Sequence, residues 1–402
     1  MIKPMSRMPF CKGKSWSRGF SLLELLVAMA VFLTISSVSF TLFSRHQALL
    51  SSEQLTVGLN IGLRNALSQI QLDVVNAGDG LILGTNVPAW PVGVTINNTN
   101  PTAAQCYTAA TFNTAGAILT IPTYTGLCFD TLNVIVADPN TPAIHPCATT
   151  GCTISTSTGT TATGQVPAVI NPATGVQFTT SQLASQFKIG DQVLFVQSCS
   201  GGGHTAGSSG CKFTTAVLSA QGGTDTTSPG CGTGCVTLTF SSTEAGGGNT
   251  STSGNDPYGM TTNAPAVLLS DQYGPNDYIV RLLPITYYVN AGNVDSGNNP
   301  DPQLMRKQAG TSNVVMDQVI GFKVGAALWN DVNTSTFQYN YDASTYSTPY
   351  QFNLVRSVRV SIIGRTEPKA TDPYRNAFDQ GPYQIRGNSV IVDPRNLTMN
   401  ND

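Results

Sequence analysis

Charge is scarce in this sequence. Only 10% of its 402 residues are Asp, Glu, Lys or Arg, against roughly 25% in ordinary soluble domains. Ser, Thr, Asn and Gly stand in their place. With 41% hydrophobic residues, the chain is neither a charge-rich disordered tail nor a many-span membrane protein. Histidine is rarer still: His46, His145 and His204 are the full set, and none sits in an HExxH arrangement. There is no GxSxG elbow, and the Gly13-Lys14-Ser15 triplet fails as a phosphate loop because Met8 stands where its first glycine belongs. Beyond Glu53 the only glutamates are Glu244 and Glu367. These absences speak against the common hydrolase and nucleotidase chemistries, and neither a catalytic residue nor a cofactor is expected.

Basic clusters are missing too, except at one end. The first 19 residues hold Lys3, Arg7, Lys12, Lys14 and Arg18 without an acid, a charge of +5, which leaves −7 on the rest of a chain whose net charge is −2. Phosphate affinity comes largely from basic side chains that displace counterions, so no nucleic-acid partner is expected. Proline is absent from Phe20 to Asn76, and nothing there forces a helix to stop.

Residues 20–43 read FSLLELLVAMAVFLTISSVSFTLF, with Glu24 as their one charge. At ~1.5 Å per residue such a helix reaches about 36 Å, enough for the ~30 Å hydrocarbon core. The basic segment before it should remain cytoplasmic and the remainder lie across the membrane. A secretory signal would carry a small-residue cleavage site after the apolar run and no carboxylate inside it. Here Gly19 precedes the run, Phe20 opens it and Glu24 follows four residues later.

This junction resembles that of type IV prepilins and type II secretion pseudopilins. The resemblance implies cleavage between Gly19 and Phe20 by a prepilin peptidase, N-methylation of Phe20, and Glu24 as the fifth residue of the mature chain. Gly19 lets the backbone approach a protease closely. A carboxylate in lipid costs a few kcal/mol and usually has a partner; a free α-amine is largely cationic at neutral pH. Glu24 of one subunit can therefore pair with the Phe20 amine of a neighbour. The alternative is that Glu24 snorkels to the interface and favours the positive helix end. Many major pilins bend this helix with a proline where Thr41 stands here, so the resemblance points to a minor pilin.

Leu55, Leu59, Leu63, Leu67, Ile70 and Val74 mark one face of a helix, which Gly78 can cap. One helix over 20–76 is expected. Gly58 and Gly62 form a GxxxG spacing beyond the span, where local weakening of the helix is the simpler reading. The segment Arg64 to Gly78, ending in Asp73 and then Ala77-Gly78, resembles the corresponding part of PilW-type minor pilins.

From residue 77 to 402 a β-rich head is expected, with strands at Ala117 to Ile121, Leu132 to Val136, Gln192 to Gln197, Thr214 to Leu218, Val236 to Phe240, Tyr278 to Val289, Val314 to Val324, Leu354 to Ile363 and Ser389 to Val392. The PilW resemblance places Ile285 to Val289, Val319 to Phe322, Val358 to Ile362 and Pro394 to Leu397 in one terminal sheet. Packed on the helix, that sheet would give an α+β, pilin-like body. Residues 138–180 and 199–262 look like insertions, since Gly, Ser and Thr fill 38 of 64 positions in the second; long surface loops with one hairpin each are expected.

Removal of the leader removes Cys11 and leaves eight cysteines, an even number that fits disulfides in an oxidising compartment. Eight cysteines allow 105 connectivities; the expected one is sequential, Cys106–Cys128, Cys147–Cys152, Cys199–Cys211 and Cys231–Cys235. A zinc site from His145, Cys147 and Cys152 competes, without a CxxC pair to support it, and no metal is expected. Asp295 to Asp301 has calcium-loop spacing but lacks the terminal glutamate and reads as a turn. Phe337, Tyr339 and Tyr341, with Tyr346 and Tyr350 nearby, form either a packed strand face or a stacking platform.

The resemblance thus implies a structural minor pilin of PilW type, with prepilin peptidase/N-methyltransferase, other minor and major pilins and the inner-membrane assembly platform as partners. Its implied place is the bacterial inner membrane and then the pilus. A J-type pseudopilin of a type II secretion system is the nearest alternative. A membrane-anchored adhesin or carbohydrate-binding protein, using the Tyr- and Cys-rich segments, is the alternative of another class.

Overall fold

The computed structural model describes residues 21–79, 93–97, 106, 128–146, 161–167, 175, 179–196, 213–225, 235–241, 277–294, 296, 300–308, 310–328, 339, 341, 355–367, 376–377 and 381–395. The chain divides into two compact units, Met1–Val57 and Gly58–Asp402. Helix α1, Leu22–Val75, runs through the division as 54 residues without a break, as the absence of proline requires. It ends where Gly78 takes a positive φ of 77°, a conformation that costs glycine nothing.

In the second unit α1 buries one face. Leu59, Leu63, Ala66, Leu67, Ile70 and Val74 join a core with Val94, Ile96, Leu132, Val134, Ile285, Tyr287, Val289, Phe322, Val324, Val358, Val360 and Ile362. Each fully buried aliphatic side chain contributes about 1.5–3 kcal/mol. The helix is thereby held by tertiary packing, the larger source of helix stability in proteins.

Two sheets supply the partners. The larger has nine strands. They are β1 (Val94–Asn97), β2 (Thr131–Ala137), β3 (Thr161–Pro167), β4 (Gln192–Val196), β5 (Phe213–Asp225), β6 (Cys235–Ser241), β7 (Tyr278–Asn290), β8 (Gln303–Gln308) and β9 (Thr311–Met316). The smaller holds β10 (Val319–Leu328), β11 (Val355–Arg365) and β12 (Ile385–Val392), with β11 central and every pairing antiparallel. Strand β7 organises the larger sheet. One of its edges pairs with β2 over Leu282–Tyr287; the other pairs with β4 over Tyr278–Arg281 and then with β8 over Ile285–Asn290.

Two expectations are corrected. The run Val314 to Val324 is two strands in different sheets. The chain turns at Gln318, whose φ is 55°, and that position is held from outside: the Gln318 amide donates to Asp301 Oδ1 at 3.4 Å and its Oε1 accepts from Arg365 Nε at 2.7 Å. The proposed four-strand terminal sheet also divides. Ile285 to Val289 belongs to β7 of the larger sheet, and Pro394-Arg395 lies beyond β12 outside any strand. The expected strand at Ala117 to Ile121 lies outside the described residues.

The chain between β2 and β7 builds more than loops. Helix α2, Thr180–Gln186, opens with a capping box in which the Gln182 amide donates to Thr179 Oγ1 at 3.2 Å and the Thr179 amide to Gln182 Oε1 at 2.9 Å. Strand β3 comes from the stretch 138–180 and pairs with β6, while β5 and β6 come from 199–262 and pair with each other. Leu183, Phe187, Val193, Phe195, Ala216, Leu218, Val236, Leu238, Phe240 and Ile279 form a second core. Phe195 and Phe240 meet there edge to face, with ring centroids 4.8 Å apart. Arg281 of β7 fastens this lobe: its guanidinium lies 3.2 Å from Asp138 and 3.0 Å from Asp191, and donates to the Gln186 carbonyl at 2.8 Å.

Asp130 covers part of the outer edge of β10. The Asp130 amide donates to the Phe322 carbonyl at 3.1 Å, and its carboxylate accepts from the Val324 amide and from Lys323 Nζ, each at 2.8 Å. Asp130 therefore occupies the place of a further strand, satisfying backbone groups that an edge leaves open. Burial pushes its carboxyl above the ordinary 3.8, against the lowering pull of Lys323 and the Val324 amide.

Two predictions follow from this packing. Leu63→Ala, at a fully buried position, should destabilise the head by about 3 kcal/mol through lost burial and a residual cavity; denaturant unfolding followed by circular dichroism measures the loss. For Asp130, whose folded value lies above the unfolded one, the contribution to stability is complete below about pH 3.8 and is lost as pH rises through the folded value. Asp130→Asn abolishes this titration, so the stability of wild type relative to the variant should fall as pH is raised from about 4 to 7. A difference that stays constant over that range contradicts the assignment.

Candidate assembly interface

The first part of α1, from Leu22 to Ser44, is an apolar surface with one charge at its start. Helix α1 begins at Leu22, its first turn closed by the Leu25 amide donating to the Ser21 carbonyl at 3.2 Å. Glu24 lies in that turn and is exposed, where a carboxylate complements the positive helix end. Residues 25–44 contain no charge until Arg45 and His46, a stretch of about 30 Å at ~1.5 Å per residue. Its large side chains face outward, with Leu22 80% and Phe40 75% exposed. Among the described residues this is the one helix long and apolar enough to cross a membrane, and none of its most apolar 18-residue window is buried.

The hydroxyls within this stretch do not spoil it. Thr34 Oγ1 donates to the Val31 carbonyl at 2.8 Å, Thr41 Oγ1 to Ser37 at 2.8 Å and Ser44 Oγ to Thr41 at 2.9 Å. These three hydroxyls are satisfied by the helix itself, which removes most of the cost of placing them in hydrocarbon or against another apolar helix. At Thr41 the helix continues unbroken. Glu24 is the one charge of the segment, and a cationic partner would answer it. Gly19 and Phe20 lie outside the described residues.

At the far end of α1 a second polar group is fully engaged. Asp73 Oδ2 accepts from the Tyr287 hydroxyl and from Arg306 Nε at 2.8 Å, while Arg306 Nη2 reaches Asp73 Oδ1 at 3.2 Å. Arg306 Nη1 donates to Gln308 Oε1. Tyr287 is buried completely, and burial together with the adjacent Asp73 carboxylate pushes its hydroxyl far above the ordinary value. The hydrogen bond and charge of Asp73 raise the Arg306 guanidinium as well, burial opposing them. Asp73 was visible in the sequence as an acid beside the Leu/Ile face; its partners were not, because β7 and β8 reach it from over two hundred residues away.

The remaining candidate residues separate. Cys106 and Cys128 form a disulfide and also an isolated β-bridge. Cys235 is disulfide-bonded to a partner outside the described residues, where Cys147, Cys152, Cys199, Cys211 and Cys231 also lie. His145 Nδ1 stands 2.8 Å from the Asp277 carbonyl, and no cluster of three His, Cys, Asp or Glu is present among the described residues. Asp301 accepts from Asn293 Nδ2 at 3.3 Å and from Gln303 Nε2 at 3.0 Å; Asp295 lies outside the described residues. Tyr339 meets Ser357 through their hydroxyls at 2.9 Å. The Tyr341 ring lies where a Cβ on Gly325 would come within 2.8 Å of it. These two tyrosines pack on the small sheet; Phe337, Tyr346 and Tyr350 lie outside the described residues.

The family model described as the prokaryotic N-terminal methylation motif matches residues 17–40, which encloses Gly19, Phe20, Glu24 and most of the uncharged helix. No curated protein and no solved structure matches the chain. The motif indicates a type IV pilin-like protein processed at its amino terminus, and with the apolar helix it points to membrane anchoring.

An apolar surface of this extent should control solubility. Exported Gly58–Asp402 should partition into the aqueous phase, whereas the chain retaining residues 20–57 should enter the detergent phase. Phase partitioning of the two forms checks this.

Proposed function

We propose that the protein is a non-catalytic structural subunit, a minor pilin of PilW type. In this reading it is cut by prepilin peptidase after Gly19, methylated at Phe20, held in the inner membrane by α1 with its head across the membrane, and assembled with other minor and major pilins at the initiation or tip complex of a type IV pilus. One observation carries the reading. A helix that exposes apolar side chains on every side from Leu22 to Phe43, with Glu24 as its sole charge, coincides over most of that length with the match to the amino-terminal methylation motif.

Physical chemistry supplies the assembly step. Cleavage creates an α-amine that is mostly cationic at neutral pH, four residues from Glu24. Within one helix those two groups lie a turn apart and Glu24 remains available to a neighbour. Between subunits, pairing Glu24 with a neighbour's amine neutralises two charges that would otherwise each be costly in an apolar core. The surrounding side chains drive lateral packing and the ion pair selects one axial stagger. Such a subunit needs no cofactor.

The test joins mass analysis and mutation. The mature protein should begin at N-methylated Phe20; a start beyond Ala30 would mark a conventional secretory signal instead. Glu24→Gln should leave processing intact while reducing incorporation into filaments by about tenfold or more, corresponding to ~1.4 kcal/mol per subunit contact. Unchanged incorporation would remove the ion-pair step. Loss of surface pili on deletion would support the pilus reading, and loss of secretion with intact pili would support the J-type pseudopilin.

A further inference from the structure

The apolar face of α1 in the second unit cannot by itself decide where the helix sits on the sheets. Its buried residues fall into two rows spaced by four, Leu59, Leu63, Leu67 and Ala66, Ile70, Val74. Moving the helix so that each residue takes the site of the one four positions later, about 6 Å along its axis, places Leu55, Leu59 and Leu63 in the first row and Gly62, Ala66 and Ile70 in the second, whereas the opposite move brings Gln71 to the buried site of Leu67. Ridges spaced by four are the rows that slide past one another in helix packing. The glycines add no lock here: a Cβ at Gly58 would meet nothing within 4 Å, and one at Gly62 would be in ordinary contact with Met316 at 3.8 Å.

One side chain on that face breaks the degeneracy. Four residues to either side of Asp73 stand Gln69 and Ala77. Either would face the Tyr287 hydroxyl and the Arg306 guanidinium after a one-turn slip, leaving a largely buried cation without its carboxylate. We infer that Asp73 is the register pin of α1 on the head: its bond to Tyr287 and its two-point contact with Arg306 favour the observed packing over the one-turn slip that also keeps the buried face apolar. Buried ionic groups are best attested in this registry role, at little net gain in stability.

The exit of the helix contributes a separate restraint. The Gly78 amide donates to the Ile135 carbonyl and the Ala137 amide to the Asp79 carbonyl, both at 2.8 Å. A Cβ on Gly93 would come within 2.5 Å of the Gly78 nitrogen, so the two backbones touch there. These contacts fix where the chain leaves the helix. They lie beyond its last turn, and refolding that turn lets the helix move while the exit stays. Asp73 acts on the helix itself, within the buried face. The inference rests on the head alone and stands whether or not the chain is a pilin. For a filament subunit it matters because a regular polymer requires every head to grip its helix at the same height.

The test reads register directly. In the mature full-length chain, Cys is introduced at Met316 together with one of Gly58, Gly62 or Ala66, and disulfide trapping is scored for each pair. A Cβ at 62 would stand 3.8 Å from Met316 Cγ, the position a cysteine sulfur at 316 would occupy. With Asp73 present, only the 62–316 pair should form. Gln69→Asp combined with Asp73→Gln moves the pin by one turn and should raise the 58–316 product roughly tenfold or more at the expense of 62–316. Asp73→Leu alone risks leaving Arg306 unpaired and the head unfolded. The triple change Asp73→Leu, Tyr287→Phe, Arg306→Leu removes the whole polar group, should keep the fold, and should add the 58–316 product to the 62–316 one. Exclusive 62–316 trapping in both the relocated-pin and the triple variant would overturn the inference.

Discussion

Helix α1 meets different surroundings along its length, and that constraint governs the rest of the molecule. From Leu22 to Phe43 its apolar side chains point in every direction, as a helix does when surrounded by lipid or by other helices. From Leu59 to Val74 apolar burial is confined to one stripe, with Arg64, Asn65, Ser68, Gln69 and Gln71 exposed. A sequence that kept the first pattern throughout would leave a wide greasy surface over the head. One that kept the second throughout would have no span. The change of pattern occurs without a proline, so one helix carries both.

Scarcity of charge gives each buried ionic group a particular place. Asp73 with Arg306 joins α1 to β8; Asp130 with Lys323 covers the edge of β10; Arg281 with Asp138 and Asp191 joins β7 to the inserted lobe. All three groups stand where separate elements meet. A buried pair gains little over an apolar substitute, yet losing one partner is expensive. Placed at junctions, such pairs penalise wrong arrangements more than they stabilise the right one. Ser, Thr and Gly, abundant on the strands and turns, impose no comparable penalty.

What could be read in the sequence follows from the range over which the cause acts. The stripe from Leu59 to Val74 has a period, and burial follows it. Glu24 and its flanks are adjacent in the chain and need no fold to be recognised. Seven of the expected strands fall on observed elements, five of them to within two residues at each end, because β-branched runs bounded by turn residues depend on neighbours alone; β5 runs seven residues beyond its expected end and β12 begins four before its expected start. Gln318 was illegible: a non-glycine residue at positive φ is stable here because Asp301 and Arg365 bind it from distant positions. Strand β3, with its sequence TATGQVP, has too little apolar character to announce itself and pairs with β6 through its backbone. The four residues of β1 are too few to give a period. Asp73 stood on the readable face, but its meaning depended on Tyr287 and Arg306, whose approach is a property of the sheet.

The inserted lobe shows how a head of this kind can grow without disturbing its grip on the helix. Strand β7 is 13 residues long, more than the mean strand of about 5–6, and its halves serve different cores. Ile285, Tyr287 and Val289 face the core shared with α1, while Ile279 belongs to the core beneath α2. An addition between β2 and β7 can therefore pair with the first half of β7 and leave the second half, which carries Tyr287, in register with β8. Arg281 lies between the two regions and binds Asp138 at the start of the insertion and Asp191 near its middle. The elements α2 and β3 to β6 are thus joined to the rest of the head through their own hydrophobic core and an ionic junction. That arrangement lets the lobe vary in sequence while the packing that fixes the helix stays the same.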